Sequence, residues 1–361
     1  MADHQLAIQE QLQTLGSAPR IAIIKPSALG DIVQSLPILE ALRLRFPQSK
    51  ISWVVNQELA DLLEGHPALN TVVRFNRRGG WLDQWRLLAK LHSARFDLVL
   101  DLQGLLRSAV MTSATGATLR IGMETAREGS NLACDFVVAG TSRDIPAHQR
   151  YQEVAWTVLG SRDTLPARIP VSHADSEWSV RELAPLAGTS IVAMHAGAKW
   201  VTKRWPAERF AAVAVGASKA GLGIVLVGTK SEQPLSKAIA NAVRAVGGKL
   251  CDLTGKTTLK QLAAVLGQAT AMVSNDSGPM HMAAALGTPI VGVFTCTSPH
   301  LSGPAGTQHQ LLAAATACAA SYKKTCPLQG VAHQACFDTI TPERVLLALQ
   351  NAVSGRVRRV A

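Results

Sequence analysis

Residues 20–37 read RIAIIKPSALGDIVQSLP, and the change of pattern inside this stretch decides the fold. The run RIAIIK (20–25) is nearly continuous in aliphatic residues, which predicts a strand buried on both faces. A short turn, PSALG, interrupts it. A helix follows from Asp31, with Ile32, Leu36, Leu39 and Phe46 at helical spacing. A buried strand that passes at once into such a helix is the first half of a βαβ unit. Working outward, KISWVV (50–55), TVVRF (71–75) and FDLVLDL (96–102) read as further strands. WLDQWRLLAKLHSA (81–94) reads as a helix with Leu82, Trp85, Leu88 and Leu91 on or near one face. Strands alternating with helices in this order predict a parallel sheet covered by helices.

The alternation weakens between about 140 and 190, where Pro146, Pro166, Pro170 and Pro185 punctuate a polar stretch around one short helical segment. This is where an inter-domain connection is expected. Strand and helix signals then restart: SIVAMHA (190–196), AERFAAVAVGASKAG (207–221), GIVLVG (223–228), LKQLAAVLGQA (259–269), AMVSN (271–275) and PIVGVF (289–294), with a last helix beginning near Pro342. The two halves read as two versions of one α/β architecture. The expected division is an N-terminal domain over 1–180, a C-terminal domain over 181–340, and a terminal helix over 341–361 that packs back on the N-terminal domain.

A chain of 361 residues exceeds one ordinary core. Its 47% hydrophobic and 17% charged residues supply two buried sheets. No apolar run is long enough to span a bilayer. The start, MADHQLAIQEQLQTLG, lacks the basic-then-apolar pattern of a secretion signal. A cytosolic protein is therefore expected. The net charge of +11 favours anionic partners. With aromatics at 4% and no nucleic-acid-binding signature, nucleic acid is excluded, leaving an anionic membrane surface and phosphorylated substrates. The isolated Cys134, Cys251 and Cys296 read as core thiols; Cys318, Cys326 and Cys336 cluster near His333, but their spacing lacks a tight C-x2-C pair and a reducing cytosol disfavours disulfides, so neither structural zinc nor a disulfide is expected.

Four motifs carry candidate chemistry. In KPSALGDIVQSLP (25–37), Asp31 stands at the C-terminal end of the first strand, where open α/β sheets bind ligands. A carboxylate there serves either as a helix cap or as a general base that takes a proton from an attacking hydroxyl. The motif is not G-x-G-x-x-G, so no dinucleotide cofactor is expected. In NDSGPMH (275–281), Asp276, Ser277, Gly278 and His281 follow a strand and open a helix. That arrangement suits a phosphate at a helix N-terminus, or equally a plain turn capped by the Asp. The run from His195 through Gly197, Lys199, Lys203 and Arg204 gathers cations able to neutralise a pyrophosphate leaving group, or to form a solvated loop. Glu232, just beyond the second strand of the second half, is either a ribose contact or a surface carboxylate. In DLQGLLRS (101–108) and GMETAREG (122–129), Arg107 and Arg127 are either anion-binding or surface arginines. No D-x-D pair is present to hold a divalent cation, so metal-free chemistry is expected.

Together KPSALGDIVQSLP, DLQGLLRSA, MHAGAKWVTKRWP and SNDSGPMHMAAALGTP resemble glycosyltransferase family 9, the lipopolysaccharide heptosyltransferases, in order and spacing from about Ile21 to Leu349. The resemblance implies a GT-B fold of two facing Rossmann-like domains with parallel sheets. It also implies inverting transfer of a heptose from ADP-heptose, held by the C-terminal domain, to a lipid-linked anionic inner-core saccharide held by the N-terminal domain. Such an enzyme works without metal or cofactor, as a peripheral protein on the cytoplasmic face of the inner membrane. Carried over by position, Asp31 is the catalytic base and Lys203 a phosphate contact. Glu232 is a ribose contact, and Leu259 lies beside the nucleoside. Asp276, Ser277, Gly278 and His281 form the donor-phosphate loop, while Arg107 and Arg127 lie in acceptor-side segments. Residues 122–129 look like the heptosyltransferase I branch, whereas 275–281 and KKTCPLQG (323–330) look like the II branch, so the subfamily stays open. A related enzyme of the same fold using another nucleotide sugar, transferase or epimerase, is the alternative, and a silent sugar-nucleotide-binding protein is a third reading.

Overall fold

The computed structural model describes residues 2–360, with the side chains of 5–356. The chain forms two compact units that divide between Pro170 and Val171. That is about ten residues before the expected boundary, because the helix at His173–Glu182 belongs to the second unit. In the first unit the order is α1 (Ala2–Thr14), β1 (Arg20–Ile24), α2 (Leu29–Arg45), β2 (Lys50–Asn56), β3 (Thr71–Phe75), α3 (Trp81–Ser93), β4 (Leu98–Asp101), α4 (Leu106–Ala114), β5 (Leu119–Met123), β6 (Phe136–Val138) and α5 (Ala147–Leu159). In the second it is α6 (His173–Glu182), β7 (Ile191–His195), α7 (Ala207–Lys219), β8 (Gly223–Leu226), α8 (Gln233–Ala245), β9 (Leu250–Asp252), α9 (Leu259–Gln268), β10 (Ala271–Asn275), α10 (Gly278–Ala285), β11 (Ile290–Phe294), α11 (Pro299–Ser302), β12 (Gln310–Ala313) and α12 (Pro342–Val360).

Each unit holds a parallel sheet in which the first strand sits centrally. The orders are β3-β2-β1-β4-β5-β6 and β12-β11-β10-β7-β8-β9. Read from the start of each unit, both are the doubly wound order 3-2-1-4-5-6, so both halves have the Rossmann-like architecture of the GT-B class. Ile21 pairs with Ile51 on one side and Leu98 on the other. With neighbours on both edges and helices on both faces, Ile21, Ile23 and Ile24 are wholly buried. In such a sheet the chain leaves the first and fourth strands in opposite directions. The crevice this opens at their C-terminal ends lies between β1 and β4 in the first unit and between β7 and β10 in the second.

Two expectations change at the level of packing. Helix α2 starts at Leu29, with Ala28 at the cap, so Asp31 is its third residue and not its opening one. The Asp31 carboxylate accepts the Ala28 N–H at 3.3 Å, which lets the helix begin two residues earlier. In α3 the buried face is Leu87 and Leu91, with Leu88 partly buried, packed among Phe75, Phe96 and Met111. Leu82 and Trp85 stay exposed, because the helix meets the sheet only from its second turn onward. Helix α12 packs into the second unit, against α7, β10, β11 and β12. Its apolar positions Val345, Ala348, Leu349 and Ala352 are consumed in the core around Trp205 and Phe210. Among the described residues, no helix is long and apolar enough to cross a membrane.

Candidate active site

In the first unit the loops that follow β1, β4 and β5 are stitched together at one end of the sheet. The Ser27 N–H donates to Gln103 Oε1 at 3.3 Å, and the Arg127 N–H donates to the Gly104 carbonyl at 2.9 Å. Gly104 has φ +63°, and a Cβ there would sit 3.0 Å from Ala126 Cα, so the two segments singled out at 101–108 and 122–129 meet through a glycine. Asp31 lies at the same crevice. Its Oδ1 accepts the Tyr151 hydroxyl at 3.3 Å, and its Oδ2 lies 3.9 Å from Lys25 Nζ. Lys25 is buried. Burial lowers its ammonium below the ordinary lysine value, while the Asp31 and Asp101 carboxylates pull it back up and Arg150 lowers it. Burial and then the Asp31 charge hold the Tyr151 phenol well above its usual range, so it acts as a donor. The Asp31 side chain is 40% exposed.

Arg107 and Arg127 are exposed at the same end of the unit. The Arg107 guanidinium lies 5.5 Å from the Phe75 ring centroid, and Arg127 lies close enough to Arg143 to lower its guanidinium, after burial and together with Arg150. Arg143, Arg150, Lys25 and Tyr151 thus join the neighbourhood of the expected residues. Tyr151 lies 120 positions from Asp31. It arrives on α5, which packs along α2, from a stretch whose prolines suggested a connection.

In the second unit the crevice between β7 and β10 gathers most of the expected donor-side residues. His195 ends β7 and bridges two of them. Its Nδ1 is 3.1 Å from Ser277 Oγ, and its Nε2 is 3.3 Å from Glu232 Oε2. Burial alone would raise the Glu232 carboxyl. The His195 hydrogen bond and charge, with the Thr229 N–H at 2.7 Å and hydroxyl at 2.9 Å, outweigh it and push the group down to about 2. A carboxylate only accepts, so His195 Nε2 carries the hydrogen toward Glu232; in the neutral ring Nδ1 then accepts from the Ser277 hydroxyl. Ser277 is the N-cap of α10, yet its side chain caps no N–H. Its hydroxyl is turned to His195 and to Ser274 Oγ, also at 3.1 Å, so it does not cap the first-turn N–H groups of α10.

Asp276 is no cap either. Its Oδ2 accepts Lys203 Nζ at 2.6 Å, and Lys203 also lies 4.7 Å from the Trp200 ring centroid. An ammonium has three donors, and Asp276 takes one of them. Asn275, fully buried, binds the strand ends: it donates to the Ala196 carbonyl at 2.8 Å and accepts the Trp205 N–H at 3.2 Å. His281 is buried in the first turn of α10. Leu259 opens α9, half-buried, past the end of β9. That loop closes on the one after β8 where Gly255, at φ +73°, would bring a Cβ within 2.9 Å of Lys230 Cα. Leu259 is not part of the hydrogen-bonded network of the crevice.

The cysteine-rich segment buttresses the Lys203 loop. Thr202 donates to the Lys323 carbonyl at 2.7 Å and accepts from Cys296 Sγ at 3.3 Å. Cys296, Cys318, Cys326 and Cys336 line a cavity of about 20 Å³. All six cysteines are free, and burial pushes the Cys336 thiol up to about 11. Among the described residues, no group of three or more His, Cys, Asp or Glu is arranged to hold a metal ion.

Gly197 gives the network a direct test, because a Cβ there would fall 1.7 Å from Glu232 Oε1. Glu232 cannot swing away without giving up His195 and Thr229. Gly197→Ala is expected to destabilise the protein by about 1–3 kcal/mol, the range of an overpacked site, seen as a lower urea midpoint. An unchanged midpoint would mean the carboxylate is loosely held.

The chain is similar to lipopolysaccharide heptosyltransferase 1 of Pseudomonas aeruginosa, at 28% identity over 92% of this chain and 97% of that relative. It is similar to lipopolysaccharide heptosyltransferase 2 of Salmonella typhimurium at 26% identity, over 93% and 99% respectively. Its fold matches the structure of E. coli ADP-heptose lps heptosyltransferase II with a TM-score of 0.76, at 22% identity, over 95% of this chain and 100% of that one. The model of glycosyltransferase family 9 (heptosyltransferase) matches residues 84–332, a span that takes in Arg107, Arg127, the Lys203 loop and the serine cap of α10, and the chain accordingly belongs to that family.

Proposed function

We propose that the protein transfers a heptose from ADP-heptose to an anionic, lipid-borne inner-core saccharide of lipopolysaccharide, with inversion at the anomeric carbon. The observation that carries the reading is the crevice of the second unit, where the uncapped N-terminus of α10 and Lys203 offer donors to a diphosphate beside the Glu232 carboxylate. Glu232 accepts ribose hydroxyls, and Leu259 covers one face of the base. In the first unit Arg107 and Arg127 bind the acid groups of the acceptor. Asp31, oriented by Tyr151 and Lys25, takes the proton of the attacking hydroxyl. The hydroxyl oxygen bonds to the anomeric carbon as the bond to the diphosphate breaks. The electron pair leaves with ADP, and Lys203 with the first turn of α10 carries its charge. The heptosyltransferase relatives of both branches support the same reaction class.

A donor panel with and without acceptor tests this. ADP-heptose is expected to turn over only when the lipid acceptor is present, and equally well in EDTA, because protein cations carry the leaving-group charge. Faster turnover of a different nucleotide sugar would replace the donor. Nucleoside diphosphate release without acceptor would point to an epimerase or hydrolase. Loss of activity in EDTA restored by magnesium would overturn the metal-free step.

A further inference from the structure

Helix α3 has more apolar surface than its core contact uses. Leu87 and Leu91 are buried, but Trp81, Leu82 and Trp85 are 76%, 48% and 63% exposed. At α-helical spacing these three occupy one arc of roughly 100°, adjoining the buried face. Two indoles and a leucine exposed to this degree present roughly 300–400 Å² of apolar surface, the size at which a monomer's patch usually has a use. Helix α4, packed beside α3, exposes Leu106 and Val110 as well.

The charges around this face have one dominant sign. Arg77 and Arg78 are exposed in the loop leading into α3, and Arg86 and Lys90 are exposed along the helix. The acid on α3 is Asp83, which pairs with Arg86 at 3.8 Å. A second copy of the chain is a poor occupant, because a two-fold contact would set these cations against themselves. An anionic bilayer suits them. Indole rings settle at the headgroup level, with the apolar ring toward the acyl chains and the N–H in the wet layer, and arginines pair with lipid phosphates.

We propose that the Trp81–Trp85 face of α3, with its flanking arginines, docks on an anionic lipid bilayer. The transferase reading gives this docking a use, by bringing the first unit to a lipid-borne acceptor. The docking itself needs neither donor nor acceptor, so each can fail alone. The test is sedimentation of the full chain with vesicles of equimolar phosphatidylcholine and phosphatidylglycerol, against vesicles of phosphatidylcholine alone. The parent is expected to bind the anionic vesicles, and less well as salt is raised. The double variant Trp81→Ser/Trp85→Ser should bind at least tenfold more weakly, and Trp81→Phe/Trp85→Phe should fall between. Arg77→Gln/Arg78→Gln should lose much of the salt-sensitive part. Val331→Ser, at a fully exposed apolar site of the second unit, should bind as the parent does. Melting curves identify any variant that has not folded, and the phenylalanine pair, which keeps its rings, carries the test if the serine pair fails. Parent-like binding by the serine pair, or equal binding of the parent to neutral vesicles, overturns the proposal. So does a parent that self-associates and a serine variant that does not, which would make the face a contact between copies. Finally, the serine pair should keep turnover on a lipid-free acceptor fragment. An equal loss on fragment and lipid-borne acceptor would place the face in the saccharide pocket instead.

Discussion

Asp31→Asn is expected to leave a folded protein that binds nucleotide and has lost at least about a hundredfold in kcat, within the 10²–10⁴ that a general base contributes. The structure sharpens the choice of substitution. Asp31 does two things in α2: its Oδ2 accepts the Ala28 N–H at the helix start, and its carboxylate faces the Tyr151 hydroxyl and Lys25. Asparagine has one oxygen, which can keep the Ala28 N–H, while its amide N–H turns to the phenol oxygen as a donor, so the helix start survives. Lys25 keeps the charge of Asp101 as compensation for its burial. What asparagine lacks is a basic oxygen for the acceptor proton. Melting should stay close to the parent, because a lost cap would cost only about 0.5–2 kcal/mol and here the cap contact is retained. Rates measured at saturating donor and acceptor check this. A variant that transfers sugar at close to the parent rate would reduce Asp31 to its role at the helix start.

Lys203→Met is expected to lower kcat/KM by roughly tenfold to a hundredfold or more, since one charge-assisted hydrogen bond contributes about 1.5–3 kcal/mol. Stability should fall as well, because Asp276, only 6% exposed, loses the ammonium at 2.6 Å and remains as an unpaired buried carboxylate. The two effects separate in the double variant Lys203→Met/Asp276→Asn. Removing both charges should return much of the lost melting temperature while kcat/KM stays low. If turnover recovers along with stability, Lys203 serves only to neutralise Asp276, and the leaving-group charge is carried elsewhere.

Much of this architecture was legible because its signals are local. Buried parallel strands such as those within 20–25, 223–228 and 289–294 announce themselves as nearly continuous aliphatic runs, and the strands read from the sequence fall within two residues of those observed. Short or half-buried elements did not stand out. β9 is three residues, none of them fully buried, and β6 is likewise three. α8 runs through a polar stretch whose buried residues, Ser236, Ile239, Ala240 and Val243, include only two large aliphatics. The amphipathic reading of α3 erred for a related reason. Periodicity shows which residues share a face but not how much of that face a neighbour covers, and here the first turn overhangs the sheet.

The sequence by itself determined the two Rossmann-like halves, the family, and the segments in which Asp31, Lys203, Glu232 and the 275–281 loop lie, because strand-end motifs are contiguous in the chain. Only the tertiary structure decided which side chains meet. Tyr151 reaches Asp31 because α5 packs on α2, and His195 joins Glu232 to Ser277 because β7 lies between the strands that lead to them. Asp276 pairs with Lys203 across 73 positions, where its own motif suggested a helix cap. α12 completes the core of the second unit, because burying Val345 and Leu349 beside Trp205 and Phe210 satisfies its apolar stripe there. Partners so distant in sequence leave no local pattern, since the doubly wound order brings the ends of its first and fourth strands side by side only once the sheet has formed.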